Sequence, residues 1–202
     1  MRRLVVALFG CAMAMTMAMA MAMAHASAAE FLTGKLLVAQ PALDDPNFAR
    51  SVVLIVRHDD EGAFGLIINR FAEERTVADL LELFGQQAEG GSKSVPVFFG
   101  GPVGKSTSLA LHDDGFSTSR TEKFGDRFAV SPTVDALRAF GGGMGPARLM
   151  IFFGYAGWYP GQLEAELKTE AWAVVDAAFA LVFDPESERI WERARSRIRL
   201  DL

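Results

Sequence analysis

His58-Asp59-Asp60 and His112-Asp113-Asp114 repeat one pattern, in which an imidazole closes an apolar run and two carboxylates follow before a glycine turn. Brought together, two imidazoles and several carboxylates could bind a divalent metal. Neighbouring residues on a strand point to opposite faces, so His58 and Asp59 do not easily share one ion. Asp-Asp-Gly is also ordinary turn chemistry, because short carboxylates bond the nearby backbone. The expectation is two strand-end histidines. A hydrolase or metal-dependent enzyme using His58 and His112 is the alternative, and a shared metal would require the two turns to meet.

The stretch GGPVGKST, Gly100 to Thr107, invites comparison with a phosphate-binding loop. That loop needs four residues between its first glycine and Gly-Lys, and Phe99 occupies the required glycine position. Pro102 removes an N–H from the cradle, and Ser108 to His112 reads as a strand where a helix is needed. A tight turn at Gly100-Gly101-Pro102 is expected. No G-x-S-x-G elbow is present, and nothing selects Ser51 or Ser108 as a nucleophile. Glu164 and Glu166 lie two apart on an expected helix, so their carboxylates diverge. Glu164 is expected to pair with Lys168 on a solvated face.

Gly154 to Leu167, GYAGWYPGQLEAEL, is the most specified segment. Leu149 to Phe153 reads as a buried strand. A Gly–aromatic turn is expected next, then a helix with Pro160 near its start. Tyr155 and Trp158 sit at that hinge. Trp158 and Gln162 could bind a ligand's backbone groups; alternatively Trp158 packs on the sheet and Gln162 bonds the turn.

The elements that position these residues read as follows. Lys35 to Gln40 is a short strand stopped by Pro41, and Asp44-Asp45-Pro46-Asn47 is a turn. Ser51 to Arg57 and Ala63 to Asn69 form a hairpin with a four- to five-residue loop. Thr76 caps a helix to Phe84, with Asp79 three residues on. Val95 to Phe99, Ser108 to His112 and Arg127 to Val130 are strands, and Phe116 to Asp126 is irregular. Ser131 and Pro132 open a helix to Phe140 as cap and first residue. Ala171 to Val175 is a strand, and Pro185 to Ile198 is the last helix. Hairpin-joined strands mixed with helices favour α+β with a largely antiparallel sheet.

Arg2 and Arg3, an uncharged Ala/Met run to Ala24 and the small-residue site Ala26-Ser27-Ala28 make a signal peptide over residues 1–28. Ala24-His25-Ala26 is an alternative cleavage site. An intact cytoplasmic chain, or an anchored or lipidated one, is the alternative fate. Removing Arg2 and Arg3, two of 20 basic residues, and none of the 25 acidic ones leaves a domain from Ala29 to Leu202 with a net charge of −7. The only cysteine, Cys11, goes with the signal. So acidic a domain repels a phosphate backbone unless its cations cluster. The cluster Arg189, Arg193, Arg195, Arg197 and Arg199 is interleaved with Glu186, Glu188 and Glu192, as on a solvated helix. Nucleic acid is therefore not the expected partner.

Four segments carry a resemblance to a known family: GKLLVAQPALDDPNFARSVVLIVRH (Gly34 to His58), EGAFGLIINR (Glu61 to Arg70), VFFGGPV (Val97 to Val103) and GPARLMIFFGYAGWYPGQLEAEL (Gly145 to Leu167). In this order and spacing the chain resembles the YqgE/AlgH family, also known as UPF0301. The resemblance implies one α+β domain with a flattened, barrel-like β core. It implies no reaction, because the family is largely uncharacterised, although some members carry a transcriptional-regulator label. Two departures stand out: Phe71 follows Asn69-Arg70 where the family usually has Pro, and family members ordinarily start near Phe31 without an export signal.

The resulting expectation is a non-catalytic binding or regulatory module, periplasmic or secreted, with no cofactor and an unidentified protein or small-molecule partner. The membrane would be met only through an uncleaved N-terminal segment. A cytoplasmic transcription-linked regulator is a further alternative. The candidate surface comprises Asp44, Asp45, Asn47, His58, Asn69, Arg70, Gly100, Gly101, Pro102, His112, Tyr155, Trp158 and Gln162.

Overall fold

The β-branched run Val52 to Val56 builds the hairpin on which the sheet is assembled. In the computed structural model, which describes residues 31–87 and 92–198, β1 (Lys35–Ala39), β2 (Val52–Asp59) and β3 (Gly62–Ile67) form an antiparallel meander. The expected signal, residues 1–28, and Arg199 lie outside the described residues. The hairpin loop is tighter than expected. Asp59 pairs with Gly62, and Asp59 Oδ1 accepts the Glu61 N–H at 2.9 Å, the side-chain turn that an aspartate offers.

The polar strand β4 (Phe71–Thr76) is an exposed edge paired with β5 (Ser94–Phe99). Its sequence, FAEERT, carries no apolar alternation, which hides it from pattern reading. Thr76 caps α1 (Val77–Leu83) as expected, its Oγ1 accepting the Asp79 N–H at 3.1 Å. The strands β6 (Val103–Asp113), β7 (Glu122–Phe124) and β8 (Phe128–Pro132) follow, and α2 (Thr133–Gly141) leads to β9 (Leu149–Trp158). Beyond β9 come α3 (Gln162–Lys168), β10 (Trp172–Asp176), α4 (Phe179–Val182) and α5 (Ile190–Ile198).

Ser131 does not cap α2. It remains in β8, and the helix starts after Pro132 with no side-chain cap. Similarly, the last helix starts later than expected, because a single 3₁₀ turn, Ser187–Arg189, precedes Ile190.

The strand order is β10-β1-β2-β3-β9-β6-β8-β7, with β4 and β5 joined to β9 beside this path. Every pairing is antiparallel except β5 with β9. The result is a curled, barrel-like α+β sheet with flanking helices. One face packs Leu54, Leu66, Phe152 and Trp191 of α5. The other face divides: Val53, Ile55, Trp158 and Trp172 meet Leu163 of α3, while Leu80 of α1 and Leu137 of α2 cover Ile151. Trp191 is anchored by its indole N–H, which donates to the Ala39 carbonyl at 2.9 Å.

Candidate functional site

The conformational freedom of Gly154 shapes the site. Its φ is +74°, and a Cβ there would lie 2.4 Å from the Gly101 carbonyl oxygen. A Cβ on Gly101 would lie 2.1 Å from the Tyr155 carbonyl carbon. Two backbones cross here at a distance that only glycine permits. Gly100 stitches the crossing, donating to Phe153 O at 2.8 Å and accepting from Ile67 N at 2.9 Å. The expected Gly–aromatic turn at Gly154 is therefore not a turn. The strand bends and runs on through Trp158, with Ala156 and Trp158 buried, Gly157 exposed and Tyr155 half-buried. The reversal falls at Tyr159 to Gly161, and α3 starts at Gln162.

Beneath that reversal Glu166 gathers three donors. Its Oε2 accepts the indole N–H groups of Trp158 and Trp172 at 2.8 Å each, and its Oε1 accepts Gln162 Nε2 at 2.8 Å. The Gln162 Oε1 in turn accepts the Tyr159 N–H at 3.1 Å. Trp158 thus packs on the sheet and Gln162 bonds the turn. Glu164 diverges from Glu166 as expected, but it faces His58 and not Lys168. The Glu164 Oε1 lies 2.9 Å from His58 Nε2, and His58 Nδ1 accepts the Leu32 N–H at 3.0 Å. An Nδ1 that accepts leaves the proton of the neutral ring on Nε2, so His58 donates to Glu164.

The opposite face of the same strands carries the main core, and at its end Phe64 and Tyr155 are only half-buried against that core. Phe64 pairs with Gly157, and Arg57 with Phe64, so these positions line up across β2, β3 and β9. Gly157 and Gly62 are among the residues that line a cleft of about 400 Å³ there. Its walls are Phe64 and Tyr155, edge to face at 5.1 Å, with the exposed Tyr159 at one end. Arg57 and Asp59 stand at the rim with Nε and Oδ2 3.5 Å apart, and Glu61 lies beside them.

The remaining candidates fall elsewhere. His112 lies at the far end of β9. It pairs with Leu149, whereas His58 reaches β9 through Ala63 and Trp158. At about 3.3 Å per residue the two rings are separated by roughly 30 Å along the strand. Among the described residues no group of three or more His, Cys, Asp or Glu is placed to hold a metal ion. His112 Nδ1 lies 2.6 Å from the Asp113 carbonyl, which can only accept, so the proton is on Nδ1. Nε2 therefore accepts the Ser131 hydroxyl at 2.8 Å, and Ser131 accepts from Thr121 Oγ1 at 2.7 Å. Burial holds the His112 pKa below the ordinary imidazole value.

Asp44, Asp45 and Asn47 lie in the β1–β2 loop, where Asp45 Oδ1 accepts the Asn47 N–H at 2.8 Å. The Asn69 side chain clamps the start of β2, accepting from Val52 N at 2.8 Å and donating to Arg50 O at 2.9 Å. Arg70 reaches the Pro46 carbonyl at 3.5 Å; burial lowers its pKa, partly offset by Asp45. Gly100 to Pro102 link β5 to β6, so a strand stands where a phosphate loop would need a helix. Arg193 bonds Asp184 and Glu186, and Arg50 and Arg195 lie over the Trp191 ring at 4.4 and 4.7 Å. That is a salt-bridged helix face. Arg57, Phe64 and Tyr159 were not signalled by sequence, and Glu166 was weighed only as a partner of Glu164. The period-2 spacing of Tyr155, Gly157 and Tyr159 could have revealed the cleft wall.

A family model described as AlgH-like matches residues 36–202. A UPF0301 protein of Jannaschia sp. (strain CCS1) is 41% identical over 172 residues, covering 84% of this chain and 90% of that protein. One from Caulobacter vibrioides (strain NA1000 / CB15N) is 40% identical over 171 residues, covering 84% and 88%. Among solved structures, the AlgH protein of Pseudomonas aeruginosa matches with a TM-score of 0.70 at 36% identity, covering 87% of this chain and 92% of that one. A Corynebacterium diphtheriae protein shares the fold at TM-score 0.64 and 22% identity, covering 81% and 85%.

Proposed function

The chain belongs to the AlgH-like, UPF0301 family, and from that premise we propose that it is a non-catalytic binding or regulatory module that works outside the cytoplasm after signal cleavage. One contrast carries this reading. Both candidate catalytic imidazoles are buried with both ring nitrogens engaged, while the face around Tyr155 and Tyr159 keeps an open cleft. A general base needs reach to its substrate's proton, and these rings are occupied by their own fold. A half-apolar cleft with a few charged groups at its rim suits recognition. The export half rests on the Arg2-Arg3 start, the Ala/Met run and the Ala26-Ser27-Ala28 site.

Two measurements test it. The intact mass of protein recovered from fractionated cells should correspond to a chain starting at Ala29; a soluble chain starting at Met1 ends the export claim. Photo-crosslinkers placed at Phe64 and Tyr159 in cells should each capture a partner. A crosslinker at exposed Met144, remote in sequence from the cleft, should not. Equal capture at all three positions would remove the binding role of this cleft.

One arrangement favours the enzymatic alternative. Ser131 donating to His112 Nε2, with Nδ1–H held by a carbonyl, is the geometry of a base-activated hydroxyl. Ser131 is 1% exposed and His112 0%, which denies a substrate access. A fluorophosphonate probe should leave Ser131 unlabelled, and stoichiometric labelling would restore the hydrolase.

A further inference from the structure

At the end of the main-core face, Arg57, Phe64, Tyr155 and Val103 sit on four adjacent strands, β2, β3, β9 and β6. Three inter-strand spacings span about 14 Å. That is longer than one compact amine and matches about four residues of extended chain. Gly62 and Gly157 line the cleft with backbone, and its apolar side is the Tyr155 ring, which lies close to Gly157, with Phe64 packed on it edge to face.

Charge decides what such a segment carries. Asp59 lies 3.5 Å from Arg57 and offsets its charge. Glu61 has no cation within ion-pair distance among the described residues, so the rim is left net negative. Aromatic faces attract cations and not anions. The acidic chain around them raises the local concentration of basic ligands and repels acidic ones.

We propose that this cleft takes a basic side chain, arginine or lysine, presented by an extended peptide. The aliphatic stem lies across the outer surface of the contacting Phe64 and Tyr155 rings, and the cationic head reaches Glu61 under the Tyr159 ring. This rests on the reading of the protein as a binding module and adds the chemistry of its ligand. A long basic side chain suits the site because its stem covers apolar surface while its head stays at the wet rim.

The test uses the full purified chain and three blocked tetrapeptides that differ only at one central position, arginine, citrulline or glutamate. Amide NMR shifts are followed during titration. The arginine peptide should move the Phe64, Tyr155, Gly157 and Tyr159 signals, and should bind at least ten-fold more tightly than the citrulline peptide. Its affinity should fall several-fold between 20 and 300 mM salt. Glu61→Gln and Tyr159→Ala, both exposed positions, should each weaken it at least three-fold while the remaining spectrum is unchanged. If citrulline or glutamate binds the cleft as well as arginine, the basic-ligand claim falls and the binding module stands. If no peptide moves a cleft signal, the basic-ligand claim falls too, and the crosslinks at Phe64 and Tyr159 judge the module independently.

Discussion

Trp158 and Trp172 stand edge to face, ring centroids 6.0 Å apart, and give their indole N–H groups to one oxygen, Oε2 of Glu166. The carboxylate ties β9 and β10, which lie far apart in the strand order, to the helix between them. Glu166→Leu strands two indole donors, and each unsatisfied buried donor costs about 1–3 kcal/mol. The network is only partly buried, so about 2 kcal/mol in total is expected from urea unfolding followed by tryptophan fluorescence. Glu166→Gln, which keeps an acceptor oxygen, should lose less than half of that.

Gly154 and Gly161 have almost the same φ, +74° and +75°, and differ in what surrounds them. A Cβ on Gly154 meets the Gly101 carbonyl, whereas one on Gly161 meets nothing within 4 Å. Gly161→Ala therefore pays only for the left-handed backbone, about 1–2 kcal/mol. Gly154→Ala also forces two strands apart, so a loss above about 4 kcal/mol, or insoluble protein, is expected. Equal midpoints for the two variants in denaturant would show that the crossing is loose.

These two sites mark where sequence reading stops. The β2–β3 hairpin, the Thr76 cap and the α+β class were legible because each follows from a local pattern, namely β-branching or an oxygen three residues before an N–H. Gly154 read as a turn because glycine marks turns and close backbone crossings alike, and the second use depends on Gly101, remote in sequence. Glu166 read only as a carboxylate diverging from Glu164, because its donors come from β9, β10 and its own helix. Ser131-Pro132 fits a helix start, yet the Ser131 hydroxyl serves His112 across the sheet. The cleft was legible only in part: Tyr155 stands out by type, but Phe64 and Arg57 join it through strand register.

His112 supplies a pH dependence. Desolvation by burial lowers its folded-state pKa from 6.5, so the folded protein holds its proton less well than the unfolded chain. A depressed base contributes stability that is complete above the unfolded value of 6.5. The contribution declines as pH falls below it and is lost on passing the lowered folded value. Urea midpoints should drop between pH 7.5 and 5. His112→Gln should be less stable than the parent at pH 7.5 but lose less over the same interval. Parallel slopes for the two proteins would place the titration elsewhere.

Asn69 makes the last case, because a candidate ligand-binding side chain can also be a brace. Its amide oxygen satisfies Val52 N and its amide nitrogen satisfies Arg50 O, where Arg50 is itself held at a φ of +55°. A residue other than glycine keeps that φ only where its neighbours impose it, and the Asn69 amide is one such neighbour. Asn69→Ala loses both bonds and should cost about 2 kcal/mol. Asn69→Asp keeps the acceptor for Val52 but sets a carboxylate oxygen against the Arg50 carbonyl, and should cost nearly as much. Hydrogen exchange separates a brace from a ligand contact: the Val52 amide should lose protection in Asn69→Ala and keep more of it in Asn69→Asp, while the amides of Phe64 and Tyr155 keep theirs in both.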